Sequence, residues 1–149
     1  MAGRYFSATK SGVALTAATA KTAVQVVAAA NHAVKVWGLS VSFNGVSNTD
    51  EPALVQIVRQ TDAGTMTALT PRKKDDSVGD DLDSTAQHTA SAEPTTTDVL
   101  WESYCHPQTG LREFFNEKTC PVIGAGDRLG VRLTAPDAVD CTVQLDCEE

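Results

Sequence analysis

Apolar residues fall on every second position through much of this chain. Trp37, Leu39, Val41 and Phe43 alternate with Gly38, Ser40 and Ser42, the signature of a half-buried strand. Val34 and Val36 lie on the opposite parity, so a bulge or a change of face is expected near Trp37. Asn44-Gly45 closes the run with a turn signal. Leu129, Val131 and Leu133 alternate with Arg128, Gly130 and Arg132, and Cys141, Val143, Leu145 and Cys147 with Thr142, Gln144 and Asp146. The predicted core is therefore Trp37, Leu39, Val41, Phe43, Leu129, Val131, Leu133, Val143 and Leu145, with Cys141 and Cys147 as small apolar partners.

The Ala-rich stretch from Ala14 to Ala30 has high helix propensity. Its apolar positions show no sustained i, i+3, i+4, i+7 stripe, and Val24 and Val26 alternate, so it reads as strand. Ala53 to Arg59 and Thr65 to Leu69 are joined by Thr61-Asp62-Ala63-Gly64. That looks like a hairpin loop with Gly64 at positive φ. Further strands are expected around Val99 to Cys105, Leu111 to Phe115 and Val122-Ile123, and Gly124-Ala125-Gly126-Asp127 is a tight turn. At least eight short strands, and no helix longer than about two turns, predict an all-β fold, a jelly-roll-like β-sandwich. It occupies residues 12–149 as one domain, after a short N-terminal arm, residues 1–11, that the fold does not need.

With 149 residues and 42% hydrophobic content, the chain can bury a real core without disulfides or metal. The net charge of -7 argues against nucleic acid and against anionic membranes as partners. It suits a partner with a basic face. The one basic run, Arg72-Lys73-Lys74, is followed at once by Asp75-Asp76 and reads as a solvated mixed loop. No apolar run is long enough to span a bilayer, and no signal peptide is visible. Folding in a reducing cytoplasm is expected, with the four cysteines as thiols.

Little in the sequence points to chemistry. There is no G-x-S-x-G elbow, and His32, His88 and His106 stand apart in polar or turn-like settings. Cys105, His106, Cys120, Cys141 and Cys147 lack the tight C-x-x-C pairs that preset zinc ligands. The acidic loop Asp75 to Asp83 fits no EF-hand register, and the remaining carboxylates sit at turns and strand ends. No catalytic, cofactor-binding or metal-binding residue is assigned, and no small-molecule substrate. Arg4, Tyr5 and Phe6 are the candidate contact residues. Two adjacent aromatics are costly to leave in water, so they either close the protein's own core or anchor it on a partner.

Four segments carry a resemblance. They are Gly12 to Ala23; Trp37 to Gly45; Arg59 to Thr67 with Thr85 to Ala90 and Ala92 to Thr95; and Gly126 to Pro136. In this order and spacing they resemble the capsid decoration, or cement, proteins of tailed bacteriophages. The resemblance covers most of the chain from Gly12 onward; residues 1–11 match least, and the cysteines are not a family feature. It implies a jelly-roll-like homotrimer on the outer surface of the virion head, bound to the major capsid protein, with no enzymatic activity and no cofactor. A trimeric receptor-binding or fibre-tip module of the tail is the alternative. A cupin-like metalloenzyme is disfavoured by the missing His-x-His.

Overall fold

The structure, a computed structural model, describes residues 3–44, 51–77 and 79–149. The Asn44-Gly45 turn falls partly outside them. The strands are β1 (Tyr5–Leu15), β2 (Lys21–Val27), β3 (Val34–Asn44), β4 (Ala53–Gln60), β5 (Thr65–Leu69) and β6 (Arg72–Lys73). They continue as β7 (Thr85–Ala92), β8 (Thr96–Cys105), β9 (Leu111–Phe114), β10 (Val122–Ile123), β11 (Arg128–Thr134) and β12 (Val139–Glu148). No helix occurs among the described residues.

Two antiparallel sheets pack face to face. Sheet A runs β10-β3-β12-β1-β6, with β9 also paired to β3, and sheet B runs β5-β7-β2-β11-β4-β8. The pairs β1·β12, β2·β11, β3·β9 and β4·β8 are nested like one long hairpin. Rolled so that successive rungs alternate between sheets, that hairpin is a jelly roll. β5, β6 and β7 are additions between β4 and β8, the two strands of the fourth rung.

The alternating residues make the core. Leu39, Val41, Leu129, Val131, Leu133, Cys141, Val143, Leu145 and Cys147 are buried. Trp37 and Phe43, expected with them, are only half-buried. A bulge explains Trp37: Asp146 pairs with Gly38 and Cys147 with Val36, so Trp37 is skipped and its indole turns to the outer face. A bulge also restores β1, where the register shifts between Lys10 and Val13 around Gly12 at φ +67°.

Three expectations change. The expected arm, residues 1–11, of which 1 and 2 lie outside the described residues, is not separable: β1 runs through the boundary at residue 11, between β12 and β6, and buries Phe6 and Ala8 in the core. Arg72-Lys73 is not loop but the short edge strand β6. Thr61–Gly64 is not a hairpin loop, although Gly64 does take φ +53°. β5 pairs with β7 at the far edge of sheet B. The reason is a polar network that ties the exposed connection to Thr95 and, through Gln25 Nε2 and Asp62 O at 3.0 Å, to the buried side chains beneath it. Asp62 accepts from Thr95 N at 3.2 Å, and Thr61 N donates to Thr95 O at 3.0 Å. These bonds hold the connection over the outer face of sheet B, above Thr22, Gln25 and Gln60, all buried.

Candidate partner-binding surface

The sheet geometry separates the three expected contact residues. Side chains alternate along β1, so Phe6 points between the sheets and is fully buried, while Tyr5 points outward and is 49% exposed. Arg4 is engaged internally. Its Nη2 lies 2.9 Å from Asp83 Oδ2 and 3.1 Å from Glu149 Oε1, and Nη1 donates to Asp81 O. Glu149 also accepts from Asp83 N and Ser84 N, each at 2.9 Å. His32 Nε2 sits 3.2 Å from Asp83 Oδ2. Arg4 therefore straps the acidic segment to the sandwich. Its hydrogen bond holds the Asp83 carboxyl below its ordinary value. Of the three residues, Tyr5 alone is presented to a partner; Phe6 closes the protein's own core.

Tyr5 belongs to a larger surface on the outer face of sheet A. The register runs Tyr5, Glu148, Lys35, Val122 across β1, β12, β3 and β10, a span of about 14 Å at the usual strand spacing. The displaced Trp37 joins this row. Its Nε1 donates to Glu148 Oε2 at 2.7 Å, and Lys35 Nζ lies 5.5 Å from the ring centroid, a cation–π geometry. The next row pairs Asp146 with Gly38 and Gly38 with Phe114. A Cβ at position 38 would lie 3.5 Å from Phe114 Cδ1, so the Phe114 ring lies against the bare backbone there. Arg112 stacks 4.8 Å from that ring. Trp37, Phe114 and Val122 were not singled out as contact residues. The parity break at Trp37 was the available signal, because a bulge turns one side chain to the other face.

The titratable groups do not converge. The partners of His32, His88 and His106 are respectively Asp83, Thr89 Oγ1 and Gln108 N. Among the described residues no group of three His, Cys, Asp or Glu is arranged to hold a metal. All four cysteines are free thiols. Burial pushes the Cys141 thiol up to about 12, and raises Cys105 and Cys147 as well. A thiol so placed is inert packing rather than a nucleophile. A cavity of about 550 Å³ between Thr70–Lys73 and Asp81–Ser84 is wide open. It mixes Arg72 and Lys73 with Asp76 and Asp81, so it favours neither sign of ligand.

The sequence matches no protein-family model and no curated protein.

Proposed function

We propose that this chain is a capsid decoration protein of a tailed bacteriophage, a homotrimer that binds the major capsid protein on the outside of the head and stiffens the shell. The observation that carries the reading is the outer face of sheet A. It is a broad, rigid β surface with Tyr5 and Trp37 at one end and no enclosed cleft at that position, suited to covering a flat partner. Aromatic residues supply much of the energy in such contacts, and avidity multiplies a modest affinity when three copies bind together. The net charge of -7 favours a basic patch on the shell, within the short range that salt screening leaves. No reaction is assigned to the protein in this reading, and no cofactor.

The test is decoration of undecorated heads by purified protein, read by co-sedimentation and by electron microscopy. Full-length protein should saturate sites all over the head. Tyr5→Ala combined with Lys35→Glu should weaken binding by about tenfold or more, the range of a lost interface anchor. Label confined to the tail would favour the fibre-tip alternative and refute the decoration reading.

A further inference from the structure

Among the described residues sheet A ends in β10 and β6, and sheet B in β5 and β8. Three of these edges are blunted. β10 and β6 are two residues each, and β6 is the pair Arg72-Lys73, entered from Pro71. β9, which shares the β3 edge with β10, carries Arg112 and Glu113. Beyond β6 the rest of β1 is interrupted by the bulge at Gly12, and Lys21 Nζ covers Ala14 O at 2.7 Å. β8 shifts register twice against β4, leaving Thr97 and Leu100 unpaired, and it carries Asp98 and Glu102. Shortness, charge, proline and bulges are the devices that keep a strand edge from pairing with another chain.

β5 has none of them. It runs five residues, Thr65-Met66-Thr67-Ala68-Leu69, about 16 Å of strand, with no charge and no proline. The shift in its ladder to β7 goes from Thr65↔Ala92 to Thr67↔His88. The extra residues are therefore on β7, where Thr89 takes φ +54°, and β5 itself is not bulged. Thr65, Thr67 and Ala68 are exposed. Alternate N–H and C=O groups of an outermost strand point away from its partner, and an extended backbone is what satisfies such a row.

We infer that the β5 edge takes the β5 of a second copy of this chain, paired antiparallel about a two-fold axis at Thr67. The sequence of the strand fits its own reverse. With the axis at Thr67, Thr67 faces Thr67, Met66 faces Ala68 and Thr65 faces Leu69. Threonine on threonine is a favourable cross-strand pair. The long Met66 side chain meets the small Ala68, and no charge is set against its like. Leu69 packs against the core and is still part-exposed; the copy's Thr65 covers what remains. Moving the axis to Met66 or Ala68 pairs fewer residues, and a slip of one residue would turn each face inside out. A two-fold contact of this kind joins two copies and consumes both bare edges, so it stops at the pair. It is distinct from any three-fold contact, and it lies on sheet B, away from the sheet A face that carries the decoration reading.

The test uses the full chain and charge at the axis. Thr67→Lys sets lysine directly against lysine, and Thr67→Glu sets glutamate against glutamate; like charges at a directly opposed position disfavour pairing. In analytical ultracentrifugation over a range of concentrations, wild-type protein should reach at least double the mass that either variant shows alone. An equal mixture of the two variants should regain the heavier species, because each lysine then faces a glutamate. Amide hydrogen exchange of the wild-type chain gives a reading that needs no variant. The β5 amides should slow as concentration rises, and those of β8 should not. Wild-type mass that does not grow with concentration, a single variant that associates as the wild type does, or a mixture no heavier than its components would each overturn the inference. So would β5 amides whose exchange is the same at all concentrations. Head binding, measured separately, tests the decoration reading without involving this contact.

Discussion

Gly130 sits where sheet B has no room for a side chain, and its replacement tests the polar network that holds the connection between β4 and β5. A Cβ at position 130 would lie 2.8 Å from Gln60 Cδ, closer still to Gln60 Oε1, and 3.0 Å from Thr22 Cγ2. Gln60 is the end of a flexible side chain, which would ordinarily yield cheaply. Here it is buried and bonded on both sides. Its Oε1 accepts from Gln25 Nε2 at 2.7 Å, and its Nε2 donates to Thr22 Oγ1 at 2.8 Å. Gln25 would keep its bond to Asp62 O at 3.0 Å, so moving Gln60 breaks two buried bonds and not three. Two such losses cost about 2–4 kcal/mol with the desolvation they leave behind. Against this, alanine gains about 0.5–1 kcal/mol over glycine in a strand. Gly130→Ala should therefore destabilise by about 2 kcal/mol. With a urea slope of roughly 2 kcal/mol/M, the midpoint falls by about 1 M. In a Gln60→Ala background the larger obstacle is gone and only the 3.0 Å approach to Thr22 Cγ2 remains, so the same substitution should cost much less than in the wild type. A Gly130→Ala midpoint at or above wild type, or an equal loss in both backgrounds, would refute the account.

Other consequences are open to measurement. Phe6→Ala should cost about 3–5 kcal/mol, as for a fully buried aromatic, while Tyr5→Ala should stay within about 0.5 kcal/mol; equal urea midpoints for the two variants would contradict the orientation of β1. Cys120, half-buried with its Sγ near Glu117 O, should react with a thiol reagent well before Cys105, Cys141 and Cys147 in native protein. Simultaneous labelling of all four would contradict the core. Acid should destabilise the fold. Hydrogen bonds from Thr95 and Gly64 lower the Asp62 carboxyl, and the hydrogen bond from Arg4 lowers Asp83, both from an ordinary 3.8. A carboxylate depressed in the folded state stabilises above its unfolded pKa, and that contribution is lost as pH falls through the folded value. Melting temperature should thus drop below about pH 4, and Asp62→Asn with Asp83→Asn should flatten the drop.

Strand identity was legible wherever one face is buried and the other wet. Leu129 to Leu133 and Cys141 to Cys147 follow the period of two without interruption, and both lie where the pattern puts them. The break in parity before Trp37 foretold the bulge, but not which side chain it would turn outward. The connection after Gln60 was misread because Gly64 satisfies the local chemistry of a hairpin turn. What carries the chain to β7 instead is a set of long-range bonds from Gln60 and Asp62 to Thr22, Gln25 and Thr95. No local rule reports those. The first eleven residues were misjudged for a similar reason. Alternation from Phe6 to Ala8 is too short to be distinctive, and only the partner strands β12 and β6 make it a strand. On β8, apolar residues occupy both parities at Val99, Leu100 and Trp101. An edge strand cannot bury all three, and Val99 and Leu100 are the two left exposed.

The two outer faces of the sandwich differ because sheet B spends its polar residues on itself. Thr22, Gln25 and Gln60 lie under the Thr61–Gly64 connection, and Thr22 N and Oγ1 donate to the Glu93 carboxylate at 2.7 Å each. With its donors and acceptors satisfied internally, that part of sheet B has little to offer another molecule. Among the described residues sheet A carries no comparable network over Trp37 and Tyr5. Trp37 has its indole nitrogen satisfied by Glu148, which leaves an apolar ring face with a cation beside it. Such a ring gains from being covered by a partner and loses no hydrogen bond in doing so. If this asymmetry guides binding, Trp37→Phe should keep most of the affinity for a docked partner, because the covered ring face remains and only Glu148 loses a donor at a wet site. Glu148→Gln should likewise be mild, whereas Trp37→Ser should abolish most of it. Co-sedimentation with undecorated heads measures all three. A Trp37→Phe loss as large as that of Trp37→Ser would show that the hydrogen bond to Glu148, rather than the exposed ring, is what the partner needs.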